Sequence, residues 1–266
     1  MKRHDDDPAV DMLFGLHPVL EAVESGRRPV DRILVAREGG GRNLGRLLRA
    51  AREAGIPVTY LPKTVLARKA GARAVHQGVV AVVAPVAYAN PDDVSQAAAK
   101  GRRLLLVLDG VEDPRNLGAV VRTAAATGVD GILLGVEATV GLTAVVAKAA
   151  AGALERIPVA RERKLTARLE ALRGAGFRVA ALDPRGGTRW DAVSFVGPTV
   201  LVAGGEGRGL RRGLLEAADV RVALPLFGGV ESLNLSVAVG VLLYEIVRQR
   251  SNPENSENSQ RRLERP

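Results

Sequence analysis

Short apolar runs alternate with longer amphipathic segments along this chain, and this alternation limits the folds that it can adopt. Runs such as LLLVLDG (104–110) and PTVLVAGG (198–205) have the continuous apolar character of buried strands. Between such runs, apolar residues recur at helical spacing, as in LTARLEALRGAG (165–176), which ends at a glycine. This alternation predicts an α/β protein with a parallel sheet and helices on both faces.

The alternation occurs in two series separated by a polar segment. Residues 1–84 have the pattern of a small α/β domain, and residues 104–250 have that of a larger one. The segment 85–103 contains Pro, an Asn-Pro pair and an Ala-rich polar stretch, so we expect a linker with a possible short helix there. The polar residues 251–266 are predicted to be disordered.

Individual elements follow from the same pattern. The predicted strands are short apolar runs, at 32–36, 56–61, 78–84, 104–110, 131–135, 156–160, 177–183, 198–205 and 220–226. The predicted helices are longer periodic segments, at 16–26, 43–55, 115–127, 143–151, 165–176 and 233–250. The last helix is apolar almost all round in its first turns and is therefore expected to be buried.

Composition argues against several classes of function. The absence of cysteine excludes disulfide scaffolds, thiolate zinc sites and thiol catalysis. His4, His17 and His76 lie far apart without a paired spacing, so no metal site is predicted. No apolar run reaches eighteen residues, and the charged MKRHDDD start does not have the pattern of a signal peptide. We therefore expect a soluble cytoplasmic protein without a membrane partner.

The charge of the chain favours a polyanionic partner. The formal net charge is +9, and 32 of the 38 basic residues are arginine. Arginine binds phosphate through two parallel hydrogen bonds, which suits a nucleic acid. The alternative is a solvated arginine-rich surface that binds no ligand. Aromatic residues make up only 3% of the chain, which argues against a base-stacking platform.

The segment DGVEDPRNLGAVVRTAAATG (109–128) follows a predicted strand and begins a helix at its Asp-Pro pair. Asn116 falls in the first turn, where free backbone N–H groups favour an anion. Arg122 is a single cation in an otherwise apolar helix. It either binds an anion, or reaches the surface or pairs with Glu112 or Asp113.

Two later segments also carry candidate site residues. LVAGGEGRGL (201–210) runs from a strand into a sharp glycine turn, although it does not fit the G-x-G-x-x-G pattern of dinucleotide sites. An ordinary turn with Glu206 in solvent is the alternative. In ALPLFGGVESLNLSVAVG (223–240), Ser232 and Asn234 precede the buried helix, and taken alone they predict helix capping.

Together, in this order and spacing, the segments DPRNLGAVVRTA, VAGGEGRGL and LPLFGGVESLNLSVA resemble the three motifs of the SpoU/TrmH family of SPOUT methyltransferases. The resemblance covers 104–250, including KAAAGALERIPVARERKL (148–165) between the first two motifs. FGLHPVLEAVESG (14–26) and the small α/β domain resemble the substrate-binding domain of bacterial 23S rRNA guanosine-2′-O-methyltransferases. One departure is LPLFGG, where the family more often has Ile-Pro-Met.

This resemblance implies a fold and a function. The fold is a C-terminal trefoil-knotted methyltransferase domain with a parallel sheet, preceded by a small α/β domain that binds RNA. The function is methyl transfer from S-adenosylmethionine (AdoMet) to a ribose 2′-hydroxyl of RNA, most like a guanosine of 23S rRNA, in a homodimer. The alternatives are 2′-O-methylation of tRNA by the same fold, a Rossmann-type AdoMet methyltransferase, and a non-catalytic RNA-binding protein.

The resemblance also implies site residues. The cofactor positions that match the motifs are Gly204, Glu206, Gly207, Leu224, Leu226 and Leu233. The matched active-site positions are Asn116, Arg122, Glu206, Ser232 and Asn234. The family's proposed base corresponds to Arg122, but a guanidinium with a pKa above about 12 is a poor base. Arg122 either removes the proton or binds the neighbouring phosphate and stabilises developing alkoxide charge.

Overall fold

The computed structural model describes residues 11–26, 28–38, 42–70, 76–205 and 207–251. The chain divides into two compact units. Unit 1 comprises Met1–Ala87 and Leu142–Arg156, and unit 2 comprises Tyr88–Gly141 and Ile157–Pro266. The predicted disorder of 251–266 concerns residues that lie, except for Ser251, outside the described ranges. In the described part of the chain, no helix has the length and apolar character needed to cross a membrane.

Unit 1 contains a four-stranded mixed sheet. Its elements in chain order are β1 (Asp11–Phe14), α1 (Leu16–Ser25), β2 (Val30–Ala36), α2 (Arg42–Glu53), β3 (Val58–Leu61), α3 (Lys63–Ala70) and β4 (Val79–Val83). The strand order is β1-β4-β2-β3, with β2 parallel to β3 and β4 antiparallel to both of its neighbours. The edge strand β1 and the helix α3 were not predicted from the sequence.

Helices cover both faces of this sheet. Alternate residues of β2 point to opposite faces, so each face receives apolar side chains from this strand. Ile33 and Val35 pack with apolar residues of α1 and α2. Leu34 packs on the other face with Leu66 of α3. Helix α1 ends at Gly26, whose φ of 61° is the left-handed conformation that favours glycine.

A segment from the middle of the chain completes unit 1. It contains α6 (Ala144–Ala150) and a short 3₁₀ turn (Ala153–Glu155). The Glu155 Oε1 atom lies 3.6 Å from the Arg28 Nη1 atom. Both side chains are buried, with exposed fractions of 4% and 3%. The Arg28 side chain also donates to the Ala84 carbonyl. The expected boundaries therefore need correction, because packing assigns residues 142–156 to the N-terminal unit although their neighbours in sequence belong to unit 2.

Unit 2 contains a seven-stranded sheet whose neighbouring strands are all parallel. Its strands are β5 (Leu104–Asp109), β6 (Gly131–Gly135), β7 (Val159–Glu162), β8 (Arg178–Leu182), β9 (Thr188–Arg189), β10 (Thr199–Gly204) and β11 (Val220–Ala223). Its helices are α4 (Pro91–Lys100), α5 (Pro114–Thr127), α7 (Leu165–Gly174), α8 (Arg212–Glu216) and α9 (Leu235–Arg250). The order is β7-β6-β5-β10-β8-β11-β9, so the predicted parallel α/β sheet is confirmed.

The expected linker at 85–103 is largely a helix of unit 2. Asn90 caps α4 by accepting a hydrogen bond from the Asp92 N–H at 2.8 Å, and Pro91 occupies the first helical position. Val94 and Ala98 of this helix are buried in the core with Leu105 of β5. The Pro and Asn-Pro signals were local and marked the start of a helix, while burial of its apolar face attaches it to the sheet.

Candidate active site

A cleft of about 590 Å³ lies beyond the carboxyl ends of β8, β10 and β11. Its walls come from the loops that follow these three strands. Lining residues include Asp183 after β8, Gly205 after β10 and Leu224 after β11. In parallel sheets, ligands bind at this edge because the strand ends and the loops that follow them meet there. Clefts of roughly 300–1,000 Å³ are typical for small ligands. The size and the place of the cleft therefore suit a cofactor.

The glycine-rich loop after β10 packs directly on the end of β5. The Gly205 N–H donates to the Asp109 carbonyl at 2.9 Å, and the Gly209 N–H donates to the Gly205 carbonyl at 3.0 Å. A Cβ added at Gly205 would lie 1.8 Å from the Gly110 carbonyl oxygen, so no larger residue fits there. Close backbone approach explains Gly204 and Gly205, and a φ of 63° explains Gly209, without a dinucleotide pattern.

The third segment supplies the opposite, apolar wall of the cleft. Leu224, Leu226, Ser232 and Leu233 all line it, together with Glu231. Gly207 lines the cleft from the glycine-rich loop. Apolar side chains beside backbone amides suit a flat heteroaromatic ring, whose faces need packing and whose nitrogens need a few polar partners.

Asn116 and Asn234 are brought together although 118 positions separate them in the sequence. The Asn234 side-chain amide donates to the Asn116 side-chain carbonyl oxygen at 3.0 Å. The Asn234 oxygen also accepts from the Ser236 N–H at 2.9 Å and thereby caps α9. Asn234 is thus both a helix cap and a partner of the first motif, and it directly follows the cleft residue Leu233.

Arg122 lies in the middle of α5, with an exposed side chain. Among the described residues it makes no hydrogen bond or ion pair, and Asp113, one of the two partners considered, instead caps α5 by accepting from the Arg115 N–H at 2.8 Å. Asn116 and Thr123 share the face of α5 that packs on α9, where Thr123 lies beside Gly240. Arg122 is rotated by about 100° from Thr123, and among the described residues no hydrogen bond or ion pair joins it to the Asn116–Asn234 pair.

Two further predicted positions need comment. Gly204 ends β10 but is not among the residues that line the cleft, because its neighbour Gly205 takes that place. Glu206, predicted for both cofactor binding and catalysis, lies outside the described residues. Within the described ranges, no group of three or more His, Cys, Asp or Glu side chains is placed to hold a metal ion.

Sequence reasoning missed the loop after β8 and the residue after the glycine-rich loop. Asp183, Pro184 and Arg185 line the cleft. The signal was a strand running into DPRGG, a turn sequence at the same edge of the sheet.

Arg211 donates two hydrogen bonds to Asp109, at 2.7 and 2.9 Å, and these bonds raise the pKa of Arg211. No local pattern announces this pair, because the two residues lie 102 positions apart.

Family comparison accords with this geometry. The model described as the SpoU rRNA Methylase family matches residues 103–244, which is more than half of the chain. The chain belongs to the SpoU rRNA methylase family. A second model, described as RNA 2′-O ribose methyltransferase substrate binding, matches residues 12–89. SpoU membership confirms the resemblance seen in the three motifs and makes the Rossmann-type alternative wrong.

Individual relatives agree with SpoU membership. A TrmH family tRNA/rRNA methyltransferase of Staphylococcus aureus is 37% identical over 241 residues, covering 90% of this chain and 96% of the relative. An AdoMet-bound rRNA methyltransferase from Sinorhizobium meliloti has a TM-score of 0.75 at 26% identity, covering 91% of this chain and 88% of that one. A structure concerned with 2-OH methylation of C/U34 on tRNA has a TM-score of 0.51 at 35% identity, covering 55% of this chain and 95% of that one.

Proposed function

We propose that this SpoU-family protein transfers a methyl group from AdoMet to a ribose 2′-hydroxyl of RNA, in the cytoplasm. The observation that carries the proposal is the cleft at the strand ends, whose walls include residues of the second and third motifs. One residue beyond that cleft, Asn234 bonds to Asn116 of the first motif. Three segments distant in sequence thus contribute to one small region of unit 2.

The residues present fit AdoMet. Leu224, Leu226 and Leu233 would pack against its adenine ring, and Gly207 and Gly205 would approach it with their backbone. Gly204 would act by permitting the close turn, since a Cβ there would lie 2.3 Å from the Gly209 carbonyl carbon. The matched role of Glu206 is part of the proposal. When bound, AdoMet supplies an electrophilic methyl group on a sulfonium.

The chain's own residues would align the acceptor and assist loss of its proton. The Asn116–Asn234 bond holds two side chains in a defined relation, which is what orienting a ribose requires. Ser232 adds a hydroxyl at the wall of the cleft. We place Arg122 at the acceptor, where its exposed guanidinium would bind a phosphate and stabilise developing alkoxide charge. Its action as the base is the alternative.

The substrate we propose is a guanosine of 23S rRNA. The rRNA methyltransferase from Sinorhizobium meliloti matches both units, whereas the structure concerned with tRNA matches little more than half of this chain. A unit that the tRNA-related chain lacks is consistent with a larger RNA substrate. Methylation of tRNA is the second candidate, favoured by the tRNA/rRNA wording of the Staphylococcus aureus relative. The cleft argues against a non-catalytic RNA-binding protein, because such a protein needs no cofactor site.

We further propose that unit 1 recruits the RNA. The exposed face of α2 presents Arg46, Arg49 and Arg52 at helical spacing, opposite the buried Leu47 and Ala51. Arg46 is already paired with Glu24, with two bonds of 2.7 and 2.8 Å. Arg49 and Arg52 form no ion pair among the described residues, so they are available to phosphates.

A homodimer is the proposed assembly, within a trefoil-knotted fold that the family resemblance implies. Helix α9 was expected to be buried, yet Val237, Val241 and Tyr244 form an exposed apolar stripe on it. Such a stripe on a soluble protein marks a contact surface. Sedimentation at micromolar concentration should show a dimer, and Val241→Glu should give a monomer. A wild-type monomer that keeps its activity would contradict the dimer.

Two measurements test the function. Isothermal titration calorimetry should show binding of AdoMet to the purified protein; absence of binding would contradict the methyltransferase. Mass mapping of 2′-O-methyl groups in RNA from a deletion strain should show one lost methyl group on 23S rRNA. A loss on tRNA instead would favour the second candidate, and no loss on either would leave the RNA-binding alternative.

A further inference from the structure

Arg211 connects the glycine-rich loop to the end of β5. Its side chain turns back from the start of α8 toward the sheet, where its Nε and Nη2 atoms donate to both carboxylate oxygens of Asp109. Its Nη1 atom donates to Glu137 at 2.5 Å. Two parallel hydrogen bonds fix the orientation of a guanidinium, whereas an ammonium held by one hydrogen bond can rotate. The direction of the Arg211 side chain is therefore determined by the sheet.

Asp109 holds both ends of the same loop. Its backbone carbonyl accepts from the Gly205 N–H, at the start of the loop, and its side chain binds Arg211, at the end. Asp109 is itself only 2% exposed, so its carboxylate depends on hydrogen-bond donors from the protein. The loop between these two attachment points includes Gly207, Arg208 and Gly209, which line the cleft.

Asp109 also lies at the start of the segment that leads to α5 and Asn116. Gly110, directly after Asp109, donates its N–H to the Thr139 hydroxyl at 2.9 Å, and a few residues later the chain enters α5 with Asn116. Methyl transfer is sensitive to the alignment of donor and acceptor. Asp109 therefore holds the glycine-rich loop and also directly precedes the segment that carries Asn116.

We infer that Arg211 is a positioning residue: by binding Asp109 it holds the glycine-rich loop in the conformation that binds AdoMet. This inference rests on the proposed function. Arg211 does not itself line the cleft, so its effect passes through the loop. Loss of Arg211 should weaken AdoMet binding and leave recognition of RNA by unit 1 unchanged.

The test compares Arg211→Gln with Arg212→Gln. Arg212 is the adjacent arginine, 92% exposed, and it pairs only with Glu216 in the same short helix among the described residues, so it matches the change in charge without the link to Asp109. Calorimetry should give an AdoMet Kd raised about tenfold or more for Arg211→Gln and unchanged for Arg212→Gln. The KM for RNA should stay within about twofold for both variants. Arg211→Lys should be intermediate, because lysine keeps the charge without the fork.

A merely structural Arg211 would give a different result. It would lower the unfolding temperature and the fraction of active protein, but the folded fraction would keep the wild-type AdoMet Kd. That result overturns the inference. If Arg211→Gln does not fold, the Asp109→Asn/Arg211→Gln double variant removes the buried carboxylate as well. A folded double variant with a raised AdoMet Kd supports the inference, and one with the wild-type Kd overturns it.

The two proposals fail in different ways. A wild-type protein that does not bind AdoMet overturns the proposed function, and the inference about Arg211 with it. A wild-type protein that binds AdoMet, with an Arg211→Gln variant that binds it equally well, overturns the inference alone.

Discussion

The sheets of the two units differ in strand direction, and the two units also differ in where their candidate binding residues lie. In unit 2 all neighbouring strands are parallel, so the loops after β8, β10 and β11 meet at one edge and form the cleft. In unit 1 the strand β4 runs antiparallel to both neighbours, so its carboxyl end lies at the edge opposite to those of β1, β2 and β3. Parallel sheets bind ligands at the edge where the carboxyl ends of their strands lie, whereas the surface proposed for RNA in unit 1 is the exposed arginine face of α2.

The buried carboxylates of the two units show the same contrast. Glu155 in unit 1 faces Arg28 with both side chains buried, so the pair has no access to a ligand. Asp109 in unit 2 is equally buried, but its partner Arg211 is 45% exposed and follows a cleft-lining loop. We therefore expect substitutions in unit 1 to change stability or RNA binding, and substitutions around the cleft to change AdoMet binding or turnover.

The largest effect on stability is expected from Glu155→Ala. Removing one partner of a buried ion pair costs about 3–5 kcal/mol. Urea unfolding should show this loss, while the AdoMet Kd of the folded protein stays unchanged. Glu21→Ala is the matched control, because the Glu21–Arg156 pair joins the same two segments at the surface and such pairs contribute about 0–1 kcal/mol. A folded Glu155→Ala protein that has lost AdoMet binding would break the separation between the units.

The largest effect on turnover is expected from Arg122→Ala. If Arg122 stabilises phosphate and alkoxide charge, its loss should lower turnover about 10²-fold or more, with an unchanged AdoMet Kd. Its exposed side chain has no partner in the described part of the chain, so the fold should be kept. Single-turnover methylation at saturating RNA measures the effect, with Arg115→Ala as a control on the same helix. Unchanged turnover in a folded variant would exclude Arg122 from the reaction, and an unfolded variant would make Arg122 structural.

A smaller effect, on RNA binding alone, is expected from Arg49→Glu with Arg52→Glu. Each lost phosphate contact lowers the slope of log K against log salt by about 1. We expect an RNA KM raised about tenfold, at an unchanged AdoMet Kd. Arg46→Gln serves as the control, because Glu24 already occupies that guanidinium. An RNA KM that does not move in the double variant would exclude this face of α2 from recruitment.

The smallest effect is an acid sensitivity of unit 2. Hydrogen bonds from Arg248 hold the pKa of Glu245 below its ordinary value. A lowered carboxylate pKa stabilises the fold above the unfolded pKa of about 4.3, and the contribution disappears as pH falls through the folded value. The difference in unfolding free energy between wild type and Glu245→Gln should thus shrink between neutral and acidic pH. A difference independent of pH would contradict this.

Local signals in the sequence predicted most elements of the fold. Asp113 before a proline predicted the start of α5, and glycine predicted the end of α1. Elements with weak local signals were missed, among them the four-residue strand β1 and the five-residue helix α8. For α4 the local signals predicted a linker with a possible short helix, and the helix is present at Pro91–Lys100. Only its packing against β5 shows that Val94 and Ala98 belong to a core.

Periodicity, caps and glycine turns in the sequence predicted the parallel α/β class, because they depend on a few neighbouring residues. The family and its motif residues came from the resemblance of three segments to SpoU/TrmH motifs. The tertiary structure decided which distant residues meet: Asn116 with Asn234, Asp109 with Arg211, and Glu155 with Arg28. It also decided that α9 keeps an apolar stripe exposed although the sequence predicted burial. Such pairings depend on how each whole unit packs, because the partners lie more than a hundred positions apart in the sequence and no local pattern connects them.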